Sequence, residues 1–224
     1  MGLITRALWG LSFLIVVLAA GLFGSARSLG YWHAWGYLGV FGSCTAVITG
    51  WLIRNDWELL ARRVKAGPMA EIRRSQQVIQ TAASILFIGI FVVSGLDFRF
   101  GWTHVPSVVV IFCDVLVVLG FLIVFGVFRA NRFTSGTIEV VREQRVIEHG
   151  PYAFVRHPMY AGGGLLVLFT PPALGSWAAL PLSLGVLFVL IARIFDEERF
   201  LSANLAGYKD YLVKVRYRLV PFVW

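Results

Sequence analysis

The chain has 224 residues, of which 58% are hydrophobic and only 14% are charged. Soluble domains carry about 25% charged residues, so this composition excludes an ordinary soluble fold and indicates a polytopic membrane protein. The net charge of +8 would suit a nucleic-acid partner, but the basic residues cluster between the apolar segments, which the positive-inside rule explains without nucleic acid.

Four apolar segments are long enough to cross a membrane as helices. Each has at least 18 residues without Lys or Arg, and a helix rising about 1.5 Å per residue needs about 20 residues to cross the hydrocarbon core. The first segment, with Arg6 before it, also resembles a signal peptide, but the further spans make a first membrane helix the simpler interpretation. The predicted spans are residues 7–24, 35–53, 78–96 and 105–128.

The apolar sequence after residue 157 has a different pattern. A stretch over about 158–170 ends at Pro171-Pro172, and a second stretch covers about 176–192. The first stretch is short for a straight crossing, and proline-interrupted arms commonly lie beside a cavity. We therefore predict an all-α, polytopic integral membrane protein with four spanning helices and a C-terminal helical hairpin. The corresponding regions are residues 1–128 and 129–224, with the hairpin over about 158–192.

The basic residues predict the orientation of these spans. Of the 20 Lys and Arg residues, 17 lie in the segments 54–77, 129–157 and 193–218. Because cytoplasmic loops are enriched in Lys and Arg, these segments and both termini are predicted to be cytoplasmic. The last two segments flank the hairpin, so a pocket is expected where they meet at its cytosolic end.

Two shorter features complete the predicted layout. The segment 57–64, WELLARRV, places apolar residues on one face, which favours a helix lying on the membrane surface. Apolar residues at helical spacing continue past residue 193, which predicts that the last helix runs on into the tail. Cys44 and Cys113 lie inside apolar segments without a Cys-x-x-Cys pattern, so we expect neither a disulfide framework nor a cysteine metal site.

The most unusual stretch is HGPYAFVRHPMYAGG, residues 149–163. Pro158 suits the first position of a helix and keeps His157 extended, while the earlier Gly-Pro pair forces a turn. The aromatic, arginine and histidine side chains should therefore be held in fixed directions beside a helix N-terminus, whose N–H groups suit a carboxylate or phosphate. The alternative is that they only anchor a helix at the membrane interface.

A second polar segment, RIFDEERFL, covers residues 193–201. Glu197 and Glu198 are about 100° apart around a helix, so they cannot face the same way. Arg193 and Glu197 either form a helical salt bridge or line a pocket as an anion-binding and a cation-binding group. Asp114, inside the fourth span, is either functional or hydrogen-bonded to a neighbouring helix.

Together these segments resemble a known signature. RHPMYAG at 156–162, followed by the glutamate pair at 197–198, is similar to the Arg-His-Pro-x-Tyr-x-Gly … Glu-Glu pattern of the isoprenylcysteine carboxyl methyltransferases and the related membrane phospholipid methyltransferases. The tail GYKDYLVKVRYRLVPF, 207–222, resembles that family's ending of paired tyrosines, a basic run and a proline. The resemblance covers roughly 140–222, whereas the first four spans match only as generic membrane helices.

The resemblance implies an enzyme that binds S-adenosylmethionine in a cytosolic pocket closed by the tail, with a lipid substrate entering from the bilayer. It implies that Glu197 contacts the cofactor and that Arg193 acts in catalysis by binding the substrate carboxylate. The remaining cofactor-binding residues that it implies are Gln144, Arg145, Val146, Ile147, Tyr152, His157, Pro158, Met159 and Tyr160.

The reaction expected from this resemblance is carboxyl O-methylation of an isoprenylcysteine-type lipid. A phospholipid amine or a small thiol are alternative acceptors, and His149 is a candidate base for an amine. The basic run KVRYR in the tail also permits an NADPH-dependent membrane reductase, and a non-enzymatic lipid-packing protein is the remaining alternative. The expected partners are membrane lipids and a lipid or prenylated acceptor, with the oligomeric state left open.

Overall fold

A computed structural model of the chain describes residues 2–65, 68–71, 73–137 and 144–224. The regular structure in this part of the chain is helical, which confirms the predicted all-α class. Short 3-10 turns lie at Pro68–Ala70 and Gly150–Ala153. The α-helices are α1 (Leu3–Ala26), α2 (Trp32–Asn55), α3 (Trp57–Val64), α4 (Arg74–Phe100), α5 (Ser107–Ala130), α6 (Pro158–Ala173), α7 (Leu180–Asn204) and α8 (Tyr208–Lys214).

Within the described residues, four helices are long and apolar enough to cross a membrane, namely α1, α2, α4 and α5. They coincide with the four predicted spans, which confirms a polytopic membrane protein. Helix α4 extends beyond its predicted span at both ends, because its terminal turns carry polar residues that an apolar pattern does not include. The main core lies between these helices and α6, and includes Leu18, Tyr37, Phe91, Val117 and Ala173.

The predicted hairpin is formed by α6 and α7. Pro171 and Pro172 do not break α6, which continues to Ala173. The φ angle of proline is compatible with a helix, but proline lacks the N–H that would donate to the carbonyl oxygen four residues earlier, so the helix ends shortly after the pair. Gly175, with φ +74°, then turns the chain towards α7. Helix α7 runs well past the predicted end at 192, as the apolar spacing of the tail indicated.

The loops at one end of the bundle are joined by a buried polar cluster that the sequence did not indicate. Asp97 accepts hydrogen bonds from the backbone N–H of Thr103 at 2.7 Å and from the hydroxyl of Ser176 at 2.5 Å. The hydroxyl of Tyr31 donates to the carbonyl oxygen of Ser94 at 3.3 Å. These contacts hold together the end of the hairpin at which α6 is joined to α7. The polar loops and the tail lie at its other end, at residues 157 and 204.

Helices α5 and α6 cross closely because each contributes a glycine. A Cβ atom on Gly120 would lie 2.9 Å from the carbonyl oxygen of Gly162, and a Cβ atom on Gly162 would lie 2.9 Å from the carbonyl oxygen of Gly120. At Gly163, by contrast, nothing lies within 4 Å of that position. The close crossing fixes the start of α6, which carries the unusual sequence, against α5.

Candidate functional site

The tail after α7 folds back over the start of α6. The backbone N–H groups of Arg156 and His157 donate to the carbonyl oxygens of Tyr217 and Arg218, each at 2.9 Å. The hydroxyl of Tyr211, on α8, donates to a backbone carbonyl oxygen in the turn before α6 at 2.9 Å. The loop before the hairpin and the tail after it therefore meet, as their positions on either side of the hairpin predicted.

Glu198 is the charged centre of this joint and is only 7% exposed. It accepts hydrogen bonds from Arg156 at 3.2 Å and Arg218 at 3.0 Å, and it lies 3.3 Å from Nε2 of His157. Burial opposes its ionisation, but the hydrogen bonds from His157, Arg218 and Arg156 outweigh burial and lower the pKa of Glu198 to about 2. The ionised carboxylate thus ties α7 to the tail and to the turn before α6.

Arg156 completes this attachment of the tail. Its Nε donates to the carbonyl oxygen of Val215 at 2.6 Å, and its Nη2 donates to that of Leu212 at 2.8 Å. The arginine of the RHPMYAG motif therefore holds α8 and the residue after it in place through two backbone carbonyl oxygens. Arg156, which belongs to the unusual stretch 149–163, therefore has a structural role in attaching the tail.

Beside this joint lies a cavity of about 330 Å³, a volume within the range of small-molecule pockets. It is bounded by the start of α6, by α7, by the tail and by the segment after α5. Neither Asp114 nor His149 is among its described lining residues. The eleven residues implied by the sequence resemblance all line it: Gln144, Arg145, Val146, Ile147, Tyr152, His157, Pro158, Met159, Tyr160, Arg193 and Glu197.

Tyr160 contacts both Glu197, which the resemblance assigns to the cofactor, and Arg193, which the resemblance assigns to the substrate carboxylate. Its hydroxyl donates to the carboxylate of Glu197 at 2.6 Å and accepts from Nε of Arg193 at 2.9 Å. One hydroxyl therefore sets the direction of both side chains at the cavity wall. The Tyr160 ring also stacks on His157, with ring centroids 5.6 Å apart.

The remaining contacts of Arg193 come from residues that the sequence analysis missed. Among the described residues its ion pair is with Glu71, at 3.0 Å, rather than with Glu197. Its guanidinium also donates to the side-chain oxygen of Gln76 at 3.0 Å and to the carbonyl oxygen of Gly136 at 3.1 Å. The salt bridge between Arg193 and Glu197 that the sequence suggested is thus replaced by a long-range salt bridge with Glu71. The signal in the sequence was that Glu71 is an acidic residue within the basic segment 54–77.

Arg63 also lines the cavity, and it comes from α3. The amphipathic pattern predicted α3 with the correct bounds but placed it on the membrane surface. In the structure Leu59 and Leu60 are buried against the bundle, while Trp57 is half exposed. Asp56 begins the helix by accepting the backbone N–H of Leu59 at 2.9 Å. Packing of α3 on the bundle brings its second turn to the cavity.

The fold and the cavity define an integral membrane protein with a site whose wall contains both carboxylate and guanidinium groups. Residues 108–206 match the family model described as phospholipid methyltransferase. This match, which covers less than half of the chain, confirms the resemblance to the membrane methyltransferases seen in the sequence. The isoprenylcysteine carboxyl methyltransferases belong to the same family as the matched model.

The matched segment contains most of α5 and all of α6 and α7, and with them the eleven cavity residues named above. Arg63 and Glu71 lie outside it. A search of curated protein sequences finds no match to the chain. The comparison therefore supports a membrane methyltransferase and does not distinguish between acceptors.

Proposed function

We propose that the chain transfers a methyl group from S-adenosylmethionine to the carboxylate of a lipid, with an isoprenylcysteine-type lipid as the acceptor. The observation that carries this proposal is that the eleven residues implied by the resemblance line one cavity. They come from two segments of the chain, 144–160 and 193–197, which meet because the hairpin closes. The excess of basic residues around this end supports a cytosolic position for the cavity.

The described residues fit the charges of S-adenosylmethionine, which has an ammonium, a sulfonium and a carboxylate. Glu197 is suited to the ammonium group, and the free N–H groups in the first turn of α6 are suited to the carboxylate. Tyr152 and Tyr208 line the cavity with aromatic rings suited to an adenine and a sulfonium. When bound, the cofactor supplies an electrophilic methyl group.

A carboxylate acceptor is already an anion, so the protein has to supply position and exclusion of water rather than removal of a proton. The tail, held by Glu198 and Arg156, would cover the cavity. Arg193, fixed by Glu71 and Tyr160, is proposed to orient the acceptor carboxylate. A fixed guanidinium loses little conformational freedom when it binds a carboxylate in this way.

Phospholipid N-methylation is the second candidate, because the matched family model is described as phospholipid methyltransferase. An ammonium group must lose a proton before it accepts a methyl group. His149, the base considered for that reaction, is not among the described residues that line the cavity. This arrangement favours the carboxylate acceptor.

Calorimetric titration of S-adenosylhomocysteine and, separately, of NADPH into the purified protein in detergent tests the proposal. Binding of the first alone is expected, and binding of NADPH alone would reject a methyltransferase site. Transfer of labelled methyl groups to N-acetyl-S-farnesylcysteine and to phosphatidylethanolamine in nanodiscs then separates the two acceptors. Product from the phospholipid alone would replace the first candidate with the second.

A further inference from the structure

Arg63 is a further guanidinium in the cavity wall, and its surroundings differ from those of Arg193. Nη1 of Arg63 donates to the carbonyl oxygen of Ser135 at 3.1 Å, and its Cζ lies 5.2 Å from the centroid of the Phe128 ring. Both contacts are with uncharged groups. Among the described residues, Arg63 forms no ion pair.

The positive charge of Arg193 disfavours the positive charge of Arg63 at this end of the cavity. Burial lowers the pKa of Arg63, the Tyr160 side chain raises it, and the charge of Arg193 lowers it further. Glu71 compensates the charge of Arg193 directly at 3.0 Å. Compared with Arg193, Arg63 is therefore the guanidinium that has no carboxylate beside it among the residues that the structure describes.

A largely buried charge is costly unless a counter-charge joins it. A guanidinium presents a planar set of donors that matches a carboxylate or a phosphate. The guanidinium lies against the aromatic ring of Phe128, and the Arg63 side chain lines the cavity. The arrangement thus has the composition of an anion-binding subsite.

We infer that Arg63 joins Arg193 in binding the anionic group of the methyl acceptor and so determines which acceptors are used. This inference rests on the proposed function. The anion is the carboxylate of a prenylcysteine-type lipid or the phosphate of a phospholipid, since both present the same chemistry to a guanidinium. Arg63 lies outside the segment matched by the family model, 108–206, and is not one of the residues assigned to the cofactor.

The variant Arg63→Gln tests the inference, with Arg62→Gln as its matched control. Arg62 is the preceding residue on α3, donates to the carbonyl oxygen of Arg132 and is not among the described cavity residues. Both substitutions remove one positive charge from the same helix. They therefore have the same general effect on attraction to an anionic membrane surface.

The readout is the preference of the purified full chain for a ligand that carries the carboxylate or phosphate anion over a ligand that lacks it. One arm compares N-acetyl-S-farnesylcysteine with its carboxamide, and the other compares short-chain phosphatidylethanolamine with diacylglycerol of the same chains. We expect the unchanged protein to prefer the anionic ligand in one arm, which identifies the source of the anion. Loss of a hydrogen bond to a charged group should reduce that preference by about ten- to hundredfold in Arg63→Gln, and Arg62→Gln should retain it.

A preference that survives in Arg63→Gln would overturn the inference, as would an equal loss in Arg62→Gln. Absence of a preference in both arms of the unchanged protein would also overturn it. Titration with S-adenosylhomocysteine separates this result from failure of the proposed function. If Arg63→Gln retains cofactor affinity, the loss lies in the acceptor subsite, whereas an unchanged protein that does not bind the cofactor analogue would reject the proposed reaction instead.

Discussion

Glu197 and Glu198 are adjacent in the sequence, yet their carboxylates serve different parts of the molecule. Glu197 accepts the hydroxyl of Tyr160 at 2.6 Å in the cavity wall. Glu198 accepts hydrogen bonds from Arg156 and Arg218 beneath the tail. Because neighbouring positions on a helix differ by about 100°, one carboxylate faces the ligand space and the other faces the joint. The pair allows ligand binding and attachment of the tail to be tested separately.

Glu198→Gln is expected to loosen the tail. The substitution leaves Arg156 and Arg218 without their shared counter-charge in a site where Glu198 is 7% exposed. Breaking a buried ion pair from one side costs about 3 kcal/mol or more. Thermal unfolding in detergent, together with limited proteolysis of residues 205–224, measures the effect.

Glu148→Gln is the control for this experiment. Glu148 pairs with Lys214 at 2.8 Å, but both side chains are exposed, and solvent screens such pairs. We expect little change in thermal stability and no new cleavage in the tail. Equal destabilisation by the two substitutions would reject the central role of Glu198.

The contribution of Glu198 should depend on pH in a defined direction. Its pKa is lowered from 4.5 to about 2 in the folded protein. A carboxylate whose folded-state pKa is depressed stabilises the fold above its unfolded-state pKa, and that stability is lost as the pH falls through the folded-state pKa. The stability difference between the unchanged protein and Glu198→Gln should be constant above about pH 5 and should shrink between pH 4.5 and 2. Thermal unfolding of both proteins across this range checks the prediction, and a constant difference down to pH 2 would contradict it.

Glu197→Gln is expected to leave the fold intact and weaken binding of S-adenosylhomocysteine. If Glu197 holds the ammonium group, its loss should reduce affinity by roughly ten- to hundredfold. Calorimetric titration measures the affinity, and thermal unfolding shows whether the tail remains in place. Unchanged affinity would remove Glu197 from the proposed cofactor site.

The pair of Arg193 and Glu71 can be tested by a double-mutant cycle. Glu71→Gln removes the ion pair from the side of the carboxylate, and Arg193→Gln removes the same ion pair from the side of the guanidinium. The double substitution removes both charges, so it should cost less than the sum of the single substitutions by about 1–3 kcal/mol. Equilibrium unfolding in mixed detergent micelles gives this coupling energy.

Methyl transfer and cofactor binding by the same variants test the proposed role of Arg193. If Arg193 orients the acceptor, Arg193→Gln should reduce turnover while it retains affinity for S-adenosylhomocysteine. Glu71→Gln should also reduce turnover, because it releases the guanidinium that Glu71 fixes. Equal loss of cofactor affinity in Arg193→Gln and Glu197→Gln would reject the assignment of the two residues to different ligands.

Gly162→Ala is expected to disturb the crossing of α5 and α6. The added Cβ atom would lie 2.9 Å from the carbonyl oxygen of Gly120, and overpacking of this kind costs about 1–3 kcal/mol. Gly163→Ala provides the control, because nothing lies within 4 Å of its Cβ position and alanine favours a helix. Thermal unfolding should separate the two variants, and cofactor affinity should fall only in Gly162→Ala, which shifts the start of α6.

The sequence by itself determined the helical class, the four spans, the hairpin and the eleven residues of the cavity. Apolar length is a local property, because a helix that crosses lipid must satisfy its own backbone hydrogen bonds within one segment. The RHPMYAG motif and the glutamate pair were recognisable because they are short and contiguous. Their places on either side of the hairpin also indicated that they would meet.

Only the tertiary structure decided which partner each charged residue has. Arg193 has a glutamate four residues away at Glu197, but it pairs with Glu71 from another loop. Arg63 lines the cavity because Leu59 and Leu60 pack α3 against the bundle. The amphipathic pattern of α3 fits a membrane surface equally well, so the pattern alone did not distinguish the two positions. Ion pairs and packing of this kind depend on distances across the bundle, and local sequence spacing does not contain those distances.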